Sequence, residues 1–188
     1  MRLYVVRHGK PAAVWGEADD DPGLDETGKA QAVAVAEKLM ALPDDKRPEA
    51  VVSSPLRRCR ETAQPLADRL GVDVCIEPAV GEIPTPAGLA ASERPAWLRA
   101  AFAGTWSAII GDIDYDRWRR DTHKAVTGMA RTAVFSHFVA INGLVSVLRG
   151  DERVIGFRPD HTSVTTLETD GGALTLVELG AEAVTGVL

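Results

Sequence analysis

The 188-residue sequence has only two cysteines, few aromatics (four Trp, two Tyr, four Phe) and fewer cations than anions. Neither Cys59 nor Cys75 has a Cys or His neighbour at a metal-ligand spacing, which argues against a disulfide framework or zinc module and predicts two reduced thiols. With 21 Lys+Arg against 27 Asp+Glu the formal charge is −6, so the surplus of positive charge that rewards nucleic acid or anionic membrane is missing. A small anion remains a natural ligand if positive charge gathers locally. No apolar run approaches the roughly 20 residues of a membrane span; even 138–148 is broken by Asn142, Gly143 and Ser146. The apolar run within Met1 to Arg7 is far shorter than the roughly seven to fifteen residues of a secretory signal core. These absences predict a single domain over 1–188, acting in the cytoplasm with neither nucleic acid nor membrane as partner. A chain of this length buries about 70% of its unfolded surface and needs no disulfide or metal staple. Oligomeric state is not legible: Trp15 and the aromatic cluster described below fit core, cap or interface equally.

Leu3 to Val6 reads as a buried strand ended by Arg7-His8-Gly9, and residues 10 to 24, with Pro11, Gly16, Pro22, Gly23 and an acidic run from Glu17 to Asp21, read as a solvated polar loop. Asp25 is positioned to cap a helix from Glu26 to Leu42, with Ala32, Val35, Ala36, Leu39 and Leu42 on one stripe. Ala50 to Ser53 is a second strand. The next helix is expected to start with Ser54 as N-cap and Pro55 at its first position, and to stop before Gly71. Val72 to Ile76 forms a third strand, and 77–92, rich in Pro and Gly, is expected to hold no regular structure. Trp97, Phe102, Trp106, Tyr115 and Trp118 mark one or two helices within an elaboration around 83–128, which either packs on itself or walls a substrate site. Thr132 to Phe135 is a fourth strand, followed by an apolar helix from Phe138 to Leu148. Val164 to Glu168, the Gly171-Gly172 turn and Leu174 to Leu179 read as a hairpin. Alternating strands and helices with this ending predict a three-layer α/β/α sandwich around a mixed, mainly parallel sheet.

Three strands hand over to charged or imidazole groups: Val6 to Arg7-His8, Ser53 to a helix carrying Arg57 and Arg58, and Phe135 to Ser136-His137. In open α/β sheets ligands bind beyond the carboxyl ends of the parallel strands, so these groups are expected to converge. Two Arg, two His and helix N-termini form a cationic pocket suited to a phosphoryl group, toward which neutral His is a competent nucleophile.

Four segments occur in order over residues 1 to about 150: Arg7-His8-Gly9; Leu24-Asp25-Glu26-Thr27-Gly28-Lys29-Ala30-Gln31-Ala32; Ser54-Pro55-Leu56-Arg57-Arg58-Cys59-Arg60-Glu61-Thr62-Ala63; and Ser136-His137. Together they resemble the signatures of the histidine phosphatase superfamily, the phosphoglycerate-mutase-like fold, with Cys59 where that family carries Ala. The resemblance implies a phosphoric monoester hydrolase needing no metal and no cofactor. His8 would carry a transient phosphohistidine, and Arg7, Arg58 and His137 would hold the phosphoryl oxygens. Glu82, in the loop after the third strand, would be the proton donor, with Glu77 as the alternative. Alignment on Ser54 and Leu56 selects Arg58 and leaves Arg57 and Arg60 solvated or on the rim. His123 reads as a surface residue and His161 as a turn residue before the hairpin.

The sequence also departs from that pattern. Mutase-type relatives carry Glu-Ser or Glu-Thr after the glycine and an Asn shortly beyond; here Lys10-Pro11-Ala12-Ala13-Val14 follows and no Asn precedes Asn142. Lys10 or a backbone N–H would have to replace that amide. Ile83-Pro84 stands where Trp-Glu-Gly often follows the acid, and Phe138 replaces a Gly at the pocket edge, which makes Lys10 and Phe138 candidates for substrate contact. The expected activity is hydrolysis of a small phosphorylated substrate. Protein phosphohistidine phosphatase, mutase-type phosphotransferase and non-catalytic phospho-ligand module are the alternatives.

Overall fold

The computed structural model describes residues 1–13, 21–170 and 172–183; Trp15, the acidic residues Glu17, Asp19 and Asp20, and Gly171 lie outside them. Six strands form one sheet: β1 (Arg2–Arg7), β2 (Ala50–Ser53), β3 (Val74–Ile76), β4 (Thr132–Ser136), β5 (Val164–Asp170) and β6 (Ala173–Glu178), in the order β3-β2-β4-β1-β5-β6. β1 to β4 run parallel, and the β5–β6 hairpin joins antiparallel at β1. The expected mixed sheet is therefore present, with its hairpin against the first strand.

Alternation along the strands supplies both faces of the sheet. Tyr4, Val6, Ala133 and Phe135 pack against α1 (Glu26–Met40) and α2 (Arg57–Leu70), where Val35, Leu39, Cys59, Ala63 and Leu66 are buried. Leu3, Val5 and Val134 point the other way, toward Ile141, Leu144 and Val145 of α5 (Phe138–Arg149) and Val126 of α4 (Tyr115–Val126). Burial on both faces explains why these strands are continuous apolar runs. Residues 83–128 hold α3 (Arg94–Phe102), a 3₁₀ turn at Trp106–Ala108 and α4. Ile83, Leu98, Trp106 and Tyr115 make a further core there, which includes Phe138 and Val139 of α5. No helix among the described residues is long and apolar enough to cross a membrane.

Asp25 caps α1 as expected, its side chain accepting from Gly28 N at 2.7 Å. The start of α2 differs from expectation. The helix begins at Arg57, with Leu56 at the cap position and making no side-chain cap bond. Ser54 is drawn away by His137, 2.8 Å from its Oγ, and the Arg57 N–H is instead met by Asp21 Oδ1 at 2.8 Å. Gly71 ends the helix at φ 68° as read. The third strand is shorter than expected, and 77–92 is not wholly irregular: Pro78–Val80 form a 3₁₀ turn capped by Glu77, whose Oε1 accepts from Ala79 N at 2.9 Å.

Two motif glycines have one physical cause, the crossing of the β1 exit over the first turn of α1. A β-carbon on Gly9 would lie 2.7 Å from Gly28 O, and one on Gly28 would overlap the Lys10 carbonyl. Both obstacles are backbone, so they yield poorly. Gly28→Ala is expected to lower stability by about 2 kcal/mol in denaturant titration, because overpacking of roughly 1–3 kcal/mol exceeds the gain of up to about 1 kcal/mol in helix propensity. An unchanged or higher midpoint would show that the crossing relaxes freely.

Candidate active site

β4 pairs with both β1 and β2, in the registers Arg7↔Ser136 and Ser53↔Phe135, so the three exits lie side by side. His8 N donates to Ser136 O at 3.0 Å and Ser54 N to Phe135 O at 3.0 Å, tying the exits together. On the α2 side, Gly9 N donates to Thr62 Oγ1 at 3.0 Å and Thr62 Oγ1 donates to Arg58 O at 2.6 Å. The 3₁₀ turn before Glu82 is pinned from two elements: Ser136 Oγ donates to Val80 O at 2.7 Å and Thr122 Oγ1 to Ala79 O at 3.0 Å. Residues far apart in sequence are thereby set around one point.

His8 is 5% exposed and orients its ring through Nδ1, 2.8 Å from Gly9 O. A carbonyl only accepts, so Nδ1 carries the proton and Nε2 keeps its lone pair. Arg58 Nε lies 3.3 Å from that Nε2. Burial, then the Arg58 and Arg7 charges, hold His8 far below the ordinary imidazole value, so the ring is neutral near pH 7. His137 is fully buried, its ring 5.2 Å from that of His8. Its Nδ1 lies 3.2 Å from Arg58 Nη2; a guanidinium only donates, so Nε2 bears the His137 proton, facing Ser54 Oγ. Burial and then the neighbouring His8, Arg58 and Arg7 keep this ring neutral as well.

Arg7 is buried, gives one N–H to Pro159 O at 2.9 Å and lies over the Phe138 ring, 5.2 Å from its centroid. Its Nε is buried with no protein acceptor. Burial pulls its pKa down to about 10, against the pull of Glu82, so it remains cationic at neutral pH. An unmatched buried donor beside a second buried guanidinium is a receptor for an anion.

Glu82 presents a side chain only 6% exposed, with Oε2 3.6 Å from Arg58 Nη2 and 3.5 Å from His137 Nδ1. Burial raises its pKa despite Arg58, which favours the protonated acid. The structure thus brings Arg7, His8, Arg58, Glu82 and His137 together. Glu77 instead caps its own turn.

Several other residues named from the sequence have partners of their own. Lys10 sends its ammonium to Asp25 Oδ2 at 2.9 Å on the protein surface, and its N–H to Gln31 Oε1. Arg57 pairs with Glu61 at 2.7 Å, Arg60 is exposed, and His123 stays half-buried on α4. Asn142 is used internally, accepting from Gly156 N and Phe157 N. Two further residues border the site, neither in the place its sequence neighbours suggest. Ser54 contacts His137, and His161 brings its ring within 5.8 Å of His8. Neither pairing has a local signal, since each joins segments more than 80 residues apart.

A model of the histidine phosphatase superfamily (branch 1) matches residues 3–182. The transcription factor tau 55 kDa subunit of Saccharomyces cerevisiae is 36% identical over 104 residues, 46% of this chain and 23% of that protein. The Erwinia tasmaniensis protein named "Probable phosphoglycerate mutase GpmB" is 27% identical over 168 residues, 80% of this chain and 75% of that one. The chain thus spans from under a quarter to three quarters of these curated relatives. The native structure of mycobacterial glucosyl-3-phosphoglycerate phosphatase superposes with a TM-score of 0.73 at 23% identity, over 97% of this chain and 99% of that one. At that identity the likeness establishes the fold.

Proposed function

The chain belongs to the histidine phosphatase superfamily, and from that premise we propose that it hydrolyses a small phosphomonoester without a metal ion, through a phosphohistidine on His8. The observation that carries this reading is the buried His8 ring, its Nδ1 against Gly9 O and its Nε2 facing Arg58 Nε, with the unmatched Arg7 Nε buried in the same pocket. His8 Nε2 attacks phosphorus, forming a P–N bond as the P–O ester bond breaks. Glu82 gives its proton to the departing oxygen, and the alcohol leaves. The Glu82 carboxylate then takes a proton from water, whose oxygen attacks phosphorus and breaks the P–N bond, releasing inorganic phosphate. Arg7 and Arg58 hold the non-bridging oxygens, and His137 joins them once its Nδ1, now turned to Arg58, takes up a proton beside the bound anion, so most of the barrier lowering comes from positive charge and positioning. Glu82 is preferred to Glu77 because it lies against Arg58 and His137, whereas the Glu77 carboxylate is occupied by Ala79 N.

Two of the three similar proteins, by name a probable phosphoglycerate mutase and a glucosyl-3-phosphoglycerate phosphatase, favour a small phosphate ester as substrate. A screen of phosphorylated metabolites for phosphate release, with and without a chelator, is expected to find one or more substrates turned over equally in both. Isomerised product without net phosphate would identify a mutase instead, and dependence on added metal would reject the mechanism.

A further inference from the structure

The His8 ring has two ring neighbours, and their surroundings differ. His137, at 5.2 Å, is sealed inside; His161, at 5.8 Å, has a side chain 23% exposed. A ring at that distance is close enough for a nitrogen to reach an oxygen of a group bonded to His8 Nε2.

The backbone beneath His161 is held on several sides. Arg7 gives a side-chain N–H to Pro159 O (2.9 Å) and a backbone N–H to Ser163 O (3.2 Å), while its carbonyl accepts from Thr162 N at 3.0 Å. Asp160 N donates to Ala181 O at 2.8 Å, and Asp160 Oδ1 accepts from His161 N at 2.7 Å. Thr162 sits at φ 54°, a left-handed conformation costly for a β-branched residue, which persists only where surrounding bonds enforce it. None of these bonds uses the imidazole, whose Nδ1 lies 3.9 Å from Asp160 Oδ1, beyond hydrogen-bond distance. The loop is thus built to set a side chain that the fold itself does not employ.

Resting on the phosphatase reading above, we infer that His161 is a phosphoryl-binding residue whose neutral imidazole donates one N–H hydrogen bond to the group transferred to His8. The charged groups around it are the cations Arg7 and Lys10 and the anions Asp160 and Asp25, with His8 alongside. Burial and Arg7 outweigh the two carboxylates and hold its pKa at about 4, so at neutral pH it offers a donor without adding charge to the pocket.

Inorganic phosphate titrated calorimetrically into wild type, His161→Ala and His161→Asn tests this. His161→Ala is expected to bind phosphate about tenfold more weakly, the scale of one hydrogen bond to a charged group. His161→Asn keeps an N–H donor and is expected to stay within about threefold of wild type. Thermal midpoints should be alike for all three, and turnover of a phosphomonoester should show the His161→Ala loss in KM rather than kcat. Unweakened binding by His161→Ala, or an equal loss in His161→Asn, overturns the inference and leaves the phosphatase reading standing. A loss confined to kcat that removes one limb of the pH profile overturns it in favour of proton transfer. A wild type that binds no phosphate overturns both readings.

Discussion

Replacing His8 by alanine is expected to lower phosphate release by about four orders of magnitude or more on every ester the protein accepts, the scale seen when a covalent nucleophile is removed. Neither Cys59 nor Ser54 is placed to substitute. The Cys59 thiol is pushed far up by burial and lies against His137, 3.4 Å from Nε2, and Ser54 Oγ is engaged by His137 and the Leu56 N–H. Inorganic phosphate should still bind the variant, because Arg7, Arg58 and His137 remain, and that separates loss of chemistry from loss of the site. The variant should also change stability against pH in a known direction. The folded protein refuses a proton at His8 that the unfolded chain accepts below the ordinary value of 6.5. Wild type therefore loses stability as pH falls below about that value, and His8→Ala should lose less. Phosphate release within tenfold of wild type would remove His8 from the mechanism.

Glu82→Gln is the second large effect, expected at about 10²–10³-fold on alkyl phosphates, the contribution of a positioned general acid. Glutamine keeps the shape and the oxygen that accepts from Ile83 N at 3.1 Å, so the fold should be unaffected. It has no proton for the departing oxygen and no carboxylate to deprotonate water. An aryl phosphate, whose leaving group needs little protonation, should therefore give a burst of one phenol per protein followed by slow release. Burial raises the Glu82 pKa, so the wild-type rate on alkyl esters should fall as pH rises through that raised value, where the resting acid loses its proton. Glu82→Gln should flatten this limb. If Glu77→Gln produced these changes instead, the acid would be misassigned, with the Ala79 cap as the only structural loss expected at Glu77.

Local chemistry made much of this legible in sequence. The Asp25 cap, the αL Gly71 stop and the apolar strand runs are set by near neighbours, and they appear where expected. The convergence of Arg7, Arg58 and His137 followed from a topological rule about strand exits. What was not legible depends on pairings across the sheet. The start of α2 moved because His137 takes Ser54 and Asp21 supplies a cap from 36 residues upstream. His161 looked like a turn residue because its neighbours in sequence are turn formers. It reaches the site only because β5 docks antiparallel on β1, with Val6 opposite Val164, carrying the preceding loop to Arg7. The hairpin could be read from residues 164–179; which strand it would join could not.

Rapid quench of wild type with a ³²P-labelled phosphomonoester it turns over, followed by peptide mapping, shows whether the phosphoryl group passes through His8. Label is expected on the peptide containing His8, stable in alkali and lost in acid as a phosphohistidine should be, formed and discharged no more slowly than steady-state turnover and absent from His8→Ala. Turnover with no trapped label in wild type or Glu82→Gln, or label on another side chain, would contradict it.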